Sequence, residues 1–126
     1  MKVQIVNIRD EHYVEFLSGP GTGIAFCKKI EKVKKGMEYG AELDIDPPIR
    51  LNQNAVLVSD RRYFIRFSED KNEIQGVIES IDEERYGCIR LAVDCIILIE
   101  ILSDEIKEGD YLLLTVDRND LRIALM

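Results

Sequence analysis

The chain has 126 residues, a length that one hydrophobic core can organise, with 46% hydrophobic residues, 33% charged residues and a formal charge of −7. No stretch approaches the ~18–20 uninterrupted apolar residues of a membrane helix, because the most apolar run, Cys95-Ile96-Ile97-Leu98-Ile99, stops at Glu100. The acidic balance also argues against a dedicated nucleic-acid binder, whose affinity comes largely from neutralising phosphate.

Two-residue periodicity dominates from the N-terminus onward. Val3, Ile5 and Ile8 mark a first strand and residues 13–17 a second, joined across Asp10-Glu11. The loop Ser18-Gly19-Pro20-Gly21-Thr22-Gly23 leads into an extended run, Ile24-Ala25-Phe26-Cys27. Phe26, Ile30, Val33 and Met37 then recur at helical spacing with Gly36 placed as a C-cap, but the lysines among them suit a loop equally well. The clearest alternation follows, with Tyr39, Ala41, Leu43 and Ile45 on one face and Glu38, Glu42 and Asp44 on the other. That is a strand with one wet face. Asp46-Pro47-Pro48 ends it, since proline removes a ladder donor and restricts the residue before it.

Further strands are predicted over residues 55–59, 63–67, 74–81, 88–93, 96–102, 111–116 and 121–125. Turns are predicted at 69–72, 83–87 and 117–120, and one capped turn at 103–109. The expected fold is therefore one all-β domain over residues 1–126. Its architecture is a small OB-like barrel or a two-sheet sandwich, with at most one or two short helical turns.

No set of residues carries a recognisable catalytic signature. The glycine-rich loop lacks the Lys-Ser/Thr pair and the following helix that phosphate binding requires. His12 is the only histidine, and a base without an orienting partner makes no relay. Cys27, Cys88 and Cys95 are odd in number, lack Cys-x-x-Cys spacing and lie among apolar strand residues, so they read as buried thiols rather than a disulfide or metal set. No enzyme activity, cofactor or metal is expected. The N-terminus enters a strand directly, without a signal-peptide hydrophobic region, so a cytoplasmic location is expected.

Charge is unevenly spread. Residues 1–36 hold seven Lys/Arg against four Asp/Glu, whereas residues 37–126 hold ten against twenty. Such a field suits a basic protein partner, and the expected contact residues are Glu38, Glu42 and Asp44 on the wet strand face. Asp82, Glu83, Glu84 and Tyr86 at the next hairpin complete the set. The alternative is single-stranded nucleic acid on Arg62, Phe64 and Arg66, which share one face of a strand in the manner of a cation-flanked stacking platform.

The segments Gly76-Val77-Ile78-Glu79-Ser80-Ile81-Asp82, Cys88-Ile89-Arg90-Leu91, Ile97-Leu98-Ile99-Glu100 and Glu108-Gly109-Asp110-Tyr111-Leu112-Leu113-Leu114 resemble an OB-type barrel whose first strand bends at a glycine. Lys35-Gly36-Met37-Glu38-Tyr39 and Glu42-Leu43-Asp44-Ile45 resemble the middle of short acidic β-rich bacterial proteins, among them immunity proteins of contact-dependent growth inhibition toxin systems. That resemblance implies a non-catalytic inhibitor that occludes a basic, nuclease-like toxin. It brings no site motif to match, so the contact residues above rest on charge pattern alone.

Overall fold

A computed structural model describes all 126 residues. It contains eleven strands and no helix. The first six are β1 (Lys2–Arg9), β2 (Tyr13–Ser18), β3 (Gly21–Phe26), β4 (Glu38–Ile45), β5 (Ala55–Val58) and β6 (Phe64–Ser68). Then come β7 (Lys71–Ile81), β8 (Tyr86–Ala92), β9 (Cys95–Glu100), β10 (Tyr111–Asp117) and β11 (Leu121–Leu125).

Pairing closes the sheet. The path β1-β2-β3-β6-β7-β8-β9-β4 returns to β1 through Lys2↔Gly40 and Val3↔Tyr39, giving a closed eight-stranded barrel. β11 fills the space between β3 and β4, and β10 with β5 extends from the free edge of β7. Of the two architectures the sequence leaves open, closure selects the barrel. It also removes most of the edges that an open sheet would expose.

Alternation carries the core inward from most strands, while β3 and the middle of β7 are buried on both faces. β4 runs buried at Ala41, Leu43 and Ile45 and exposed at Glu42 and Asp44, as its sequence predicts. β9 does the same, burying Cys95, Ile97 and Ile99. These join one cluster of 26 buried residues that includes Phe16, Ile74, Ile89 and Leu112. β7 spans two neighbours on one edge, β6 over its first half and β8 over its second, and Gly76 lies between them. A Cβ at Gly76 would stand 2.5 Å from the Arg90 carbonyl oxygen, so the strand crosses β8 here only because the side chain is absent.

Residues 28–36, where helical spacing competes with a loop, form a loop. Ile30 and Val33 pack against the core as its anchors. The Tyr39 hydroxyl takes a hydrogen bond from Lys34 N–H at 2.9 Å and donates to the Lys32 carbonyl at 3.3 Å. The Gly36 N–H donates to the Ile5 carbonyl at 2.7 Å. These tertiary bonds take up backbone groups that a helix would otherwise pair internally. Residues 103–109 are likewise turns, with Ile106 N–H bonded to the Ser103 carbonyl.

Candidate protein-binding face

The outer surface of β4, β9 and β8 is where the charge pattern and the fold meet. Register puts Asp44 beside Leu98 on β4–β9, and Cys88 beside Leu98 and Tyr86 beside Glu100 on β8–β9. Alternation in β9 sends Ile96 and Leu98 outward, and both remain exposed despite being large and apolar. Leu98 is 54% exposed and Tyr86 53%. Such side chains usually lie inside, so two on one face are informative.

Three adjoining hollows surround Leu98. One of about 390 Å³ is lined by Asp44, Asp46, Tyr86 and Glu100. A second, of about 340 Å³, includes Asp82, Tyr86 and Cys88. A third, of about 320 Å³, includes Glu42, Asp94 and Ile96. No Lys or Arg side chain lines any of the three. Of their six carboxylates only Asp46 is ion-paired, to Arg122 at 3.0 Å. The face is therefore an apolar centre with a predominantly acidic rim, relieved by Arg122 at Asp46 and by the Met1 ammonium at the third hollow.

Four of the seven predicted contact residues, Glu42, Asp44, Asp82 and Tyr86, come together here. Glu38 does not; it pairs with Gln4 at the β1 end of β4. Glu83 and Glu84 stand at the tip of the β7–β8 turn, outside the hollows. That turn is built on Asp82, whose Oδ1 accepts the N–H groups of Glu84 and Tyr86, each at 2.9 Å. The residues that charge reasoning missed are Leu98, Ile96, Asp94 and Glu100. Alternation in β9 signalled Ile96 and Leu98, apolar yet outward, with Glu100 on the same side, whereas Asp94 before the strand had no such signal.

The alternative platform is intramolecularly occupied. The Arg66 guanidinium lies 4.6 Å from the centre of the Phe64 ring and that of Arg62 lies 5.5 Å from it. Arg62 is also paired to Asp60 at 2.5 Å and Arg66 to Glu73 at 3.0 Å. The Arg62 hydrogen bond, with a second from Gln75, holds the Asp60 carboxyl below its ordinary range.

The remaining titratable candidates are structural in their surroundings. Burial pushes the Cys95 thiol up to about 11 and raises that of Cys27, so both are neutral core groups near pH 7. Cys88 sits 3.4 Å from Ser80 Oγ and donates to Glu79 at 3.5 Å. His12 packs its ring against Phe26 at 5.7 Å. No group of three or more His, Cys, Asp and Glu has a metal-binding arrangement. No described protein family, curated protein or solved structure matches the chain.

Proposed function

We propose that this protein is a non-catalytic binding protein that docks a basic protein through the β4-β9-β8 face, acting as an immunity-type inhibitor of a cationic, nuclease-like toxin. The observation that carries the reading is Leu98, exposed at the common edge of three hollows whose rim holds six carboxylates and no Lys or Arg, the Met1 ammonium being the one cation at the third hollow. Interfaces concentrate their affinity in a few aromatic and apolar anchors and take specificity and on-rate from the surrounding charge. Tyr86 and Leu98 are such anchors, and Asp44 and Glu100 stand where a partner's Arg or Lys would reach between them. An acidic surface of this kind competes with phosphate for the cleft of a nuclease.

Capture from nuclease-treated lysate of the native host, with wild-type protein and the Leu98→Asp and Asp44→Lys/Glu100→Lys variants in parallel, tests this. The expected result is one basic protein held by the wild type, released by salt and lost from both variants. That protein, expressed alone, should arrest growth, and co-expression of the wild type should relieve the arrest. Equal capture by wild type and variants would remove the face from the reading. A captured protein without toxicity would remove the inhibitor role.

A further inference from the structure

All eight ion pairs of the protein are made by arginine; no lysine has a carboxylate within reach. Residues 28–35 nevertheless hold five of the lysines, Lys28, Lys29, Lys32, Lys34 and Lys35, with Glu31 as the only acid among them. In a chain of charge −7, carboxylates that could neutralise them are abundant, yet the fold leaves all five exposed and unpaired. The loop is not slack. Ile30 and Val33 fasten it to the core, and Tyr39 Oη and the Ile5 carbonyl fix its backbone. The lysines are thus displayed from a fixed frame, which lowers the entropy lost when they engage a ligand.

Beside this loop the pairing of β3 with β11 is minimal. β3 and β11 run parallel and meet in a single bridge, Phe26↔Arg122, after which β3 leads into the lysine loop. A hollow of about 490 Å³ lies at that junction, lined by Tyr13, Phe26, Lys28, Asp44, Asn119 and Arg122 together with Ile123 and Ala124. Its volume is within the range of small-ligand sites. One wall holds the Phe26 and Tyr13 rings, Tyr13 already lying under the Arg118 guanidinium and bonded through its hydroxyl to Asn119. The other holds Asn119 and Arg122, which also engage Asp117 and Asp46. Asp44 in the wall, and Asp46 on Arg122 at 3.0 Å, make the hollow itself a poor place for phosphate. The lysine loop is a good one. That separation, planar and polar inside with cationic outside, matches a nucleotide strand, which carries its bases and its charges on opposite sides.

We infer that loop 28–35 and the adjoining hollow bind single-stranded nucleic acid, with phosphates on the loop lysines and one base lodged against the part of Phe26 that lines the hollow. Lys28 belongs to both parts and sets the register between them. This site adjoins the acidic face, sharing Asp44 with it, but its phosphate contacts use the cationic loop of an asymmetric molecule, away from Leu98. The overall negative charge repels a long strand, so the footprint is short and the affinity strongly salt-dependent. Five phosphate contacts would give a slope of log K against log salt of at most about −3.5, because each contact on a single strand contributes ~−0.7.

The test is fluorescence anisotropy of the full chain with a labelled ten-nucleotide RNA, the corresponding DNA and an abasic strand of the same length, from low to moderate salt. The triple variant Lys28→Gln/Lys29→Gln/Lys32→Gln changes only exposed side chains, and its thermal melt verifies folding. Expected are at least tenfold weaker binding by the variant and a slope shallower by about 2, from three lost contacts. At least tenfold weaker binding of the abasic strand is expected as well. Absence of binding at low salt, or equal binding by the variant, would overturn the proposal. Equal binding of the abasic strand would overturn the base-lodging part of it. Binding to phosphatidylserine vesicles without binding to either oligonucleotide would replace nucleic acid by a membrane surface. Leu98→Asp should leave oligonucleotide binding unchanged, which keeps this result separate from the fate of the protein-docking face.

Discussion

At Ile24 the barrel has a gap in its hydrogen bonding that a single side chain fills. The neighbours of β3 on this edge change from β6 at Gly21 to β11 at Phe26, and Ile24 lies between them. Asn72, wholly buried on β7, accepts from the Ile24 N–H and donates to its carbonyl, both at 2.8 Å, and donates also to the Val116 carbonyl at 3.1 Å. Its carboxamide thus does the work of a missing strand residue. Asn72→Leu keeps the branched shape of the side chain, at somewhat larger volume, and strands the Ile24 groups without a partner. Because an unsatisfied buried polar group costs ~1–3 kcal/mol, the variant should lose about 3 kcal/mol. Urea unfolding would measure this, and a loss under about 1 kcal/mol would mean that water reaches the gap. A buried asparagine of this kind reads as an ordinary strand-end residue in the sequence, since its partners are 48 and 44 positions away.

Among the elements, β7 carries the largest share of the architecture. It pairs with β6, β8 and β10, and its passage from β6 to β8 requires Gly76. Gly76→Ala forces its methyl toward the Arg90 carbonyl and the Ile89 side chain. An overpacking cost of ~1–3 kcal/mol is expected, with the damage localised at the β7–β8 ladder. Amide hydrogen exchange should show lost protection at residues 77–81 and 87–90 before residues 41–45; uniform loss would sink that assignment. At the mid-strand glycine of the OB-like resemblance the structure shows a close approach to β8 and the change of neighbour from β6 to β8.

For the whole molecule, the ends of the hairpins are tied by arginines, and this sets the response to acid. Arg118 bonds Asp10 at 2.7 Å and lies 3.5 Å from Asp70, joining the β10–β11, β1–β2 and β6–β7 turns, while its guanidinium covers Tyr13 at 4.1 Å. Hydrogen bonds from Arg118 to Asp10 and from Arg90 to Glu79 hold both carboxyls below their ordinary range. Their pKa values are lower folded than unfolded. The stability they supply is therefore complete above the ordinary carboxylate range and lost as pH falls through the folded values. Burial first, and then Asp117 and Asp46, raise Asp120, which works in the opposite sense because its protonation relieves the folded state. The depressed carboxyls, Asp60 included, outnumber it. The melting temperature should hold down to about pH 5 and fall below about pH 4, and Arg118→Gln should lower the plateau and flatten the fall. An unchanged profile in the variant would show that the exposed pairs are screened into irrelevance.

What the sequence by itself determined is the class and the elements. Each strand has a counterpart in the sequence, most through alternation that is local and therefore visible, as in Tyr39-Ala41-Leu43-Ile45. But residues 21–23, expected as loop, open β3, and Lys71 and Asn72, expected as turn, open β7, because their pairing with β2, β6 and β10 is made by distant residues. Charge pattern also placed Glu42, Asp44, Asp82 and Tyr86 on the candidate face. Only the tertiary structure decided that the sheet closes, that residues 28–36 form a loop, and that Glu38, Glu83 and Glu84 stand apart from the hollows. Only it gathered Leu98, Asp94 and Glu100 around the same centre. The reason is range: strand formation depends on residues one and two positions apart, whereas closure and the face depend on pairings such as Val3 with Tyr39 and Asp44 with Leu98, which no local pattern encodes.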